Sequence, residues 1–174
     1  MPERRIVVDH LQLSYEGLFD ASKLYALIDS WFYEKGWDKE ERINQEILSP
    51  EGKQTHIILQ PFKNISDYYK LVIKITMNLT DVKDVEVEKN GSTQKLNQGL
   101  VKFTFDGYVV SDRHSNWEKS PLLWFMRVMF DKYIFKKQFS RAETWLLSDV
   151  EDLHTRIKNF LNIFKYETYA QREL

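Results

Sequence analysis

A strict two-residue alternation between Leu71 and Thr80 constrains this chain more than any other feature. The apolar positions of the alternation are Leu71, Ile73, Ile75, Met77 and Leu79. Successive side chains of a β-strand point to opposite faces of a sheet, so a period of two over these ten residues predicts a half-buried strand. The chain must therefore supply partner strands and a second layer that covers the apolar face.

Partner strands are predicted on both sides of this segment. Residues 6–16 alternate and predict a first strand, which Gly17 ends with a turn. Residues 39–63 indicate a hairpin around Ser49-Pro50-Glu51-Gly52-Lys53, because Pro presets φ and Gly accepts a positive φ. The first arm of this hairpin is polar, which predicts a position near a sheet edge. After Asn90-Gly91, a pair typical of tight hairpins, an inward-facing row follows at Val101, Phe103 and Phe105.

Helical signals flank the sheet. Asp20 is the predicted N-cap of a first helix, and Gly36 is its predicted left-handed C-cap. In the last third, Ser120-Pro121 predicts a helix that runs to about Phe139, and Ser140-Arg141-Ala142-Glu143 is a capping box that opens another. The apolar seam of this last helix consists of Leu146, Val150, Leu153, Ile157, Leu161 and Phe164. Residues 166–174 are polar and predict a frayed tail.

The order of elements predicts a single α+β domain over residues 1–174, with an antiparallel sheet packed against long C-terminal helices. This order resembles the helix-grip superfamily of START-like and Bet v 1-like domains, in which a curved antiparallel sheet wraps a long C-terminal helix. The resemblance implies an apolar cavity between the sheet and the helices. The two predicted C-terminal helices depart from the single one of that superfamily.

Two further runs resemble a family of small archaeal proteins of unknown function. One run is Phe105-Asp106-Gly107-Tyr108-Val109-Val110-Ser111-Asp112, with Trp117 after it, and the other is Phe130-Asp131-Lys132-Tyr133-Ile134-Phe135. This resemblance spans the whole chain and implies no activity. It supports a cytoplasmic location, which is also predicted because the chain starts without the apolar stretch of a signal peptide.

Composition excludes several classes of site. The chain has no cysteine, which excludes disulfides, thiolate zinc sites and a cysteine nucleophile. A net charge of −1 argues against general binding of nucleic acid, which usually needs a basic footprint. No segment reaches the ~20 apolar residues that a transmembrane helix needs.

The segment from Pro121 to Phe139 is apolar on almost its whole circumference when it is placed on a helix. Between Lys119 and Arg141 there are six basic residues and one acid, a local balance of +5. Three alternatives for what covers the apolar surface of this segment are left open. They are burial between the sheet and the last helix, a homodimer or other protein partner, and an anionic membrane surface. The residues predicted to contact a partner or a membrane are Trp124, Val128, Phe135, Lys136 and Lys137.

An apolar small molecule is the second hypothesis for the same region. Sheet faces rich in Ile, Met and Phe opposite long helices favour a pocket, and ligand pockets are mostly apolar. The predicted lining consists of Ile73, Ile75, Met77, Phe103, Phe105, Met126 and Met129. The alternative is a filled core, because protein interiors usually pack without large voids.

The sequence contains no catalytic, metal-binding or cofactor-binding signature, and no cofactor is predicted. None of the four histidines (His10, His56, His114 and His154) forms the spaced pair of a zinc helix. Asp9 and His10 are neighbours in a predicted strand, so their side chains are expected on opposite faces. The sequence therefore predicts a non-enzymatic binding domain that holds an apolar ligand or a protein partner around the helix from Pro121 to Phe139. A peripheral membrane-binding module that uses the same helix is one alternative. An enzyme is the other alternative, and it needs a cavity that joins His56 or His114 to a carboxylate.

Overall fold

The computed structural model describes residues 3–66, 69–89, 91–111, 121–133 and 136–172. The strands are β1 (Glu3–Phe19), β2 (Glu41–Ser49), β3 (Gly52–Leu59), β4 (Phe62–Asn64), β5 (Tyr69–Lys89) and β6 (Ser92–Ser111). The helices are α1 (Ala21–Lys35), α2 (Pro121–Tyr133) and α3 (Lys136–Arg172). All the strand pairs are antiparallel, and the predicted α+β class is confirmed.

The strands form one sheet in the order β1-β6-β5-β3-β2, and the short β4 pairs with β5. β2, the polar arm of the first hairpin, lies at one edge of this order, as its composition predicts. A polar strand suits an edge because one of its sides stays exposed to water. β1 lies at the other edge, so the first and last strands of the chain are neighbours.

β5 and β6 form a hairpin of 21 and 20 residues that crosses the middle of the sheet. Lys89 pairs with Ser92 across the turn, and Gly91 takes φ +77°, the left-handed conformation that a tight turn requires. The predicted apolar rows of the two strands lie opposite each other, as in the pair Met77 and Phe103. The hairpin therefore presents one continuous apolar face.

α1 and α3 cover this apolar face and enclose the core. The seam predicted for the last helix is buried: Leu146, Val150, Leu153, Ile157 and Leu161 are each at most 1% exposed. α1 buries Leu24, Ile28, Trp31 and Phe32 in the same core. α3 contacts β1, β5, β6 and α1, so this one helix joins most of the elements.

The ends of α1 are those that the sequence predicts. A carboxylate oxygen of Asp20 accepts a hydrogen bond of 3.0 Å from the backbone N–H of Lys23. At the other end, Gly36 takes φ +68° and its N–H donates to the carbonyl of Tyr33. Both caps are local interactions, which is why the sequence predicts them.

The end of β1 differs from the prediction. Gly17 does not turn the chain, because it takes φ +149° within the strand and pairs with Gly99. Glycine accepts this φ without strain. β1 therefore continues to Phe19, whose side chain is fully buried.

The start of the last helix also differs from the prediction. Ser140 lies inside α3, which begins at Lys136, so the capping box does not open a helix. Phe139 packs on the core, with its ring 5.8 Å from that of Tyr69, and thereby extends the buried seam N-terminally. At the other end α3 continues to Arg172, into the stretch predicted to fray.

Two tryptophans fasten α1 and the residue after its cap to α3. The indole N–H of Trp31 donates to the Asp152 carboxylate at 2.8 Å. The indole N–H of Trp37 donates to the Asp149 carboxylate at 3.0 Å. The two indoles stack with centroids 6.3 Å apart, so apolar and polar contacts of the same side chains fix one arrangement of the helices.

We expect the substitution Leu153→Ala to lower the free energy of unfolding by about 2–5 kcal/mol, because it leaves a cavity in the core under α3. Urea unfolding followed by circular dichroism measures this change. Ile163→Ala is the control on the same helix, since Ile163 is 56% exposed and its loss should change stability by no more than about 0.5 kcal/mol. Equal losses for the two variants would contradict the assigned core.

The contact between α1 and α3 should depend on pH through Asp152. The Trp31 indole N–H, followed by the charges of Arg156 and Lys35, lowers the pKa of Asp152. Such a carboxylate stabilises the fold above its unfolded pKa of about 4, and the contribution is lost as pH falls through the folded pKa. We expect the urea midpoint of Asp152→Asn to lie below that of the wild type at about pH 7 and to approach it at about pH 3. An equal difference at both pH values would rule out this role.

Candidate functional site

The apolar side chains that the structure describes on α2 face solvent. Every α2 side chain that the structure describes is exposed, and the exposed fractions of the large apolar ones run from 37% to 70%. These residues are Leu122, Leu123, Trp124, Phe125, Met126, Val128 and Met129. At 100° per residue they cover most of the circumference of the helix. Burial between the sheet and α3, one of the three predicted covers, is not found for them, because α1 and α3 occupy the inner face.

The residues predicted to meet a partner or a membrane lie on and beside this helix. Trp124 and Val128 are 57% and 43% exposed. Phe135 lies outside the described residues, and so do the side chains of Lys136 and Lys137, whose backbone forms the first turn of α3. None of the helices in the described part of the chain is both long and apolar enough to span a membrane.

The predicted ligand-binding residues are divided between two places. The sheet residues among them are buried in the core at 1% exposure or less: Ile73, Ile75, Met77, Phe103 and Phe105. Met126 and Met129 are 40% and 46% exposed on α2. The side chains predicted to line one pocket thus lie partly in the packed interior and partly in solvent.

An open cleft of about 410 Å³ lies between α1 and the strands β2, β3 and β5. Its apolar lining includes Ile28, Ile57, Leu59, Leu79 and Val82. None of the predicted ligand-binding residues lines it. The sequence could not indicate this cleft, because its walls come from elements whose spacing is set by the folded sheet.

Four of the five charged residues that line the cleft pair with one another, and the fifth, Asp84, accepts a hydrogen bond from a side-chain amide at 2.8 Å. Lys39 Nζ lies 2.7 Å from a carboxylate oxygen of Asp29, and Lys53 Nζ lies 2.8 Å from one of Glu46. Because four of the five charges are already paired and the lining between them is apolar, the cleft favours an uncharged apolar body over an ion.

His56 and His154 do not form the acid–base site that an enzyme would need. His56 lies on the sheet face opposite the core, where its Nδ1 contacts the amide oxygen of Asn78. His154 of α3 stands edge-on to the Phe105 ring, with centroids 5.8 Å apart. His114 lies outside the described residues. His56 therefore has an amide, not a carboxylate, as its hydrogen-bonding partner.

His10 departs from the predicted strand geometry. β1 bulges between Val8 and Leu11, so that Asp9 and His10 together oppose Asp106 of β6. His10 takes φ +51°, a conformation uncommon for residues other than glycine. The bulge brings the two neighbours together, and His10 Nδ1 contacts the Asp9 carboxylate. The prediction that these side chains point apart is wrong, and the sequence carried no signal for Asp106.

Comparison with known proteins assigns no role to these features. The resemblances to the helix-grip superfamily and to a family of small archaeal proteins therefore stay predictions. No protein-family model, curated protein or solved structure matches this chain.

Proposed function

We propose that this protein is a binding domain that attaches to an anionic membrane surface through α2. The observation that carries the proposal is the exposure of every described side chain of α2, among them Trp124 and Phe125. A helix of 13 residues is marginal when isolated in water, and this one is apolar on most of its circumference. α2 therefore needs a cover that the described part of the chain does not supply.

The order of residues along α2 supports a membrane interface as that cover. Residues 121–126 carry no charge, and at 1.5 Å per residue they span roughly 9 Å. Interfacial helices sink about 5–10 Å into the boundary between lipid headgroups and acyl chains. Such a helix lies parallel to the membrane plane, so the uncharged stretch would bury its apolar side chains at this depth along roughly 9 Å of its axis.

Basic residues follow the uncharged stretch. They are Arg127, Lys132, Lys136, Lys137 and Arg141. Each basic residue close to an anionic surface contributes about 1 kcal/mol to binding. A second copy of this chain fits less well, because pairing through α2 would bring two segments of +5 together.

We expect the protein to float with vesicles of phosphatidylcholine and phosphatidylserine, and less with phosphatidylcholine alone. The double substitution Trp124→Ala and Phe125→Ala should lower the membrane partition coefficient at least about tenfold, since burial of one large apolar side chain is worth about 1.5–3 kcal/mol. The control is Trp145→Ala, because Trp145 is 53% exposed but lies on α3. Equal flotation of the two variants would contradict a role for α2.

The basic residues are tested by charge reversal. Lys136→Glu with Lys137→Glu should weaken flotation at least about tenfold, and added salt should weaken it in the wild type, because the attraction is screened. Lys158→Glu with Lys165→Glu changes the net charge equally at exposed positions further along α3 and should have a much smaller effect.

Sedimentation velocity distinguishes a second copy of the chain from a membrane as the surface that covers α2. If the protein fails to float at low salt and instead forms a dimer that Trp124→Ala with Phe125→Ala dissociates, the cover is a second copy and the membrane proposal is wrong. A monomer that floats only with anionic vesicles would support the proposal.

The cleft beside α1 supports a second candidate function, the retention of a small apolar molecule. Its volume of about 410 Å³ lies within the usual range of ligand pockets, and four of the five charges that border its apolar lining pair with each other. The ligand of this candidate contacts Ile57 and Leu79, not the core residues that the sequence predicts.

Native mass spectrometry of the purified protein tests this second candidate. We expect a co-purified small molecule, and Thr55→Trp should abolish its retention because Thr55 lines the cleft. Thr76→Trp is the control, since Thr76 lies on the sheet face opposite the core. A mass equal to that of the bare chain under gentle ionisation would count against a carrier.

A further inference from the structure

The bulge in β1 brings three metal-ligating side chains together. One ligand atom from each of Asp9, His10 and Asp106 lies within 4.8 Å of the other two. His10 Nδ1 is 3.4 Å from Asp106 Oδ1 and also contacts the Asp9 carboxylate. Two ligand atoms of a tetrahedral zinc site, each about 2.1 Å from the ion, lie roughly 3.4 Å apart. The separation between His10 and Asp106 therefore suits a shared ion without movement of the backbone.

The backbone of the bulge holds one of these ligands in place. The N–H of His10 donates to Asp106 Oδ1 at 2.9 Å, the kind of supporting hydrogen bond that orients metal ligands. The Asp106 side chain is 17% exposed, whereas those of His10 and Asp9 are 70% and 69% exposed. One carboxylate is thus fixed on the sheet, and the two other groups can close on an ion that arrives from solvent.

The local charge also favours a cation. The carboxylates of Asp9 and Asp106 lie beside the one imidazole of His10. Lys74 lies opposite Asp106 in the pairing of β5 with β6, and its positive charge opposes the binding of a cation. A divalent ion bound to the three side chains would balance the two carboxylate charges.

We infer that Asp9, His10 and Asp106 bind one divalent transition-metal ion, with Zn²⁺ as the probe that tests it. An imidazole nitrogen with two carboxylate oxygens suits Zn²⁺ and related ions, whereas Ca²⁺ and Mg²⁺ prefer oxygen ligands alone. The site shares no residue with α2 or with the cleft, so it stands or falls independently of the proposed function.

Calorimetric titration of ZnCl₂ into the untagged protein should show one ion per chain. His10→Gly is the decisive variant, because glycine accepts φ +51° and keeps the N–H that Asp106 accepts, so the fold should persist. Loss of a group that only supports a ligand costs roughly 10- to 100-fold in metal affinity. Loss of the imidazole itself should therefore lower the affinity at least about tenfold.

Three further variants sharpen the test. Asp106→Asn keeps a hydrogen-bond acceptor for the His10 N–H but removes the charge, and it should also weaken binding. Lys74→Met removes the opposing cation and should strengthen binding. His56→Ala should leave the affinity unchanged, since His56 contacts an amide oxygen on another strand.

The inference is overturned by any of three results. These are the absence of saturable Zn²⁺ binding, an unchanged affinity in folded His10→Gly protein, and binding of Ca²⁺ as tight as that of Zn²⁺. Circular dichroism of each variant verifies that the fold is retained.

Discussion

The packing of α3 on the inner face of the sheet is the interaction on which the rest of the structure depends. The seam from Leu146 to Leu161 is almost fully buried, and α3 contacts β1, β5, β6 and α1. Burial of apolar surface is non-directional and grows with area, so the long helix packs across β1, β6 and β5. α1 covers a further part of it. The inner face is then occupied, and the part of the chain that the structure describes offers no further apolar layer on which α2 could pack.

Directional contacts decide how the two covering helices sit on the sheet. The indoles of Trp31 and Trp37 donate to carboxylates of α3, and Arg156 makes a two-pronged ion pair with Glu34 of α1 at 2.7 and 2.9 Å. Among the described residues, no buried side-chain nitrogen or oxygen lacks a hydrogen-bond partner. Apolar burial therefore brings the helices together, and the polar contacts select one arrangement because unpaired buried groups are costly.

Two features do not follow this pattern of buried apolar side chains and paired polar groups. α2 exposes large apolar side chains such as Trp124, and the β1 bulge holds His10 in a conformation that residues with side chains seldom adopt. Natural proteins tend to depart from local rules where a site is kept for a ligand or partner. Both proposals made for this protein rest on such departures. They involve different parts of the chain and opposite chemistries, an apolar helix followed by cations and an anionic pocket for a metal.

The sequence by itself determined the local structure and the inward faces, because side-chain periodicity and helix caps act over a few residues. The alternation from Leu71 to Leu79, the caps at Asp20 and Gly36, and the seam of α3 are all where the patterns place them. Only the tertiary structure decided the rest. Packing of Phe139 on the core overrode the capping box at Ser140, and strand register aligned Asp106 with the bulge at His10. The sequence alone could not predict that α2 is exposed. Whether a helix is buried depends on which other elements already pack on the apolar face of the sheet.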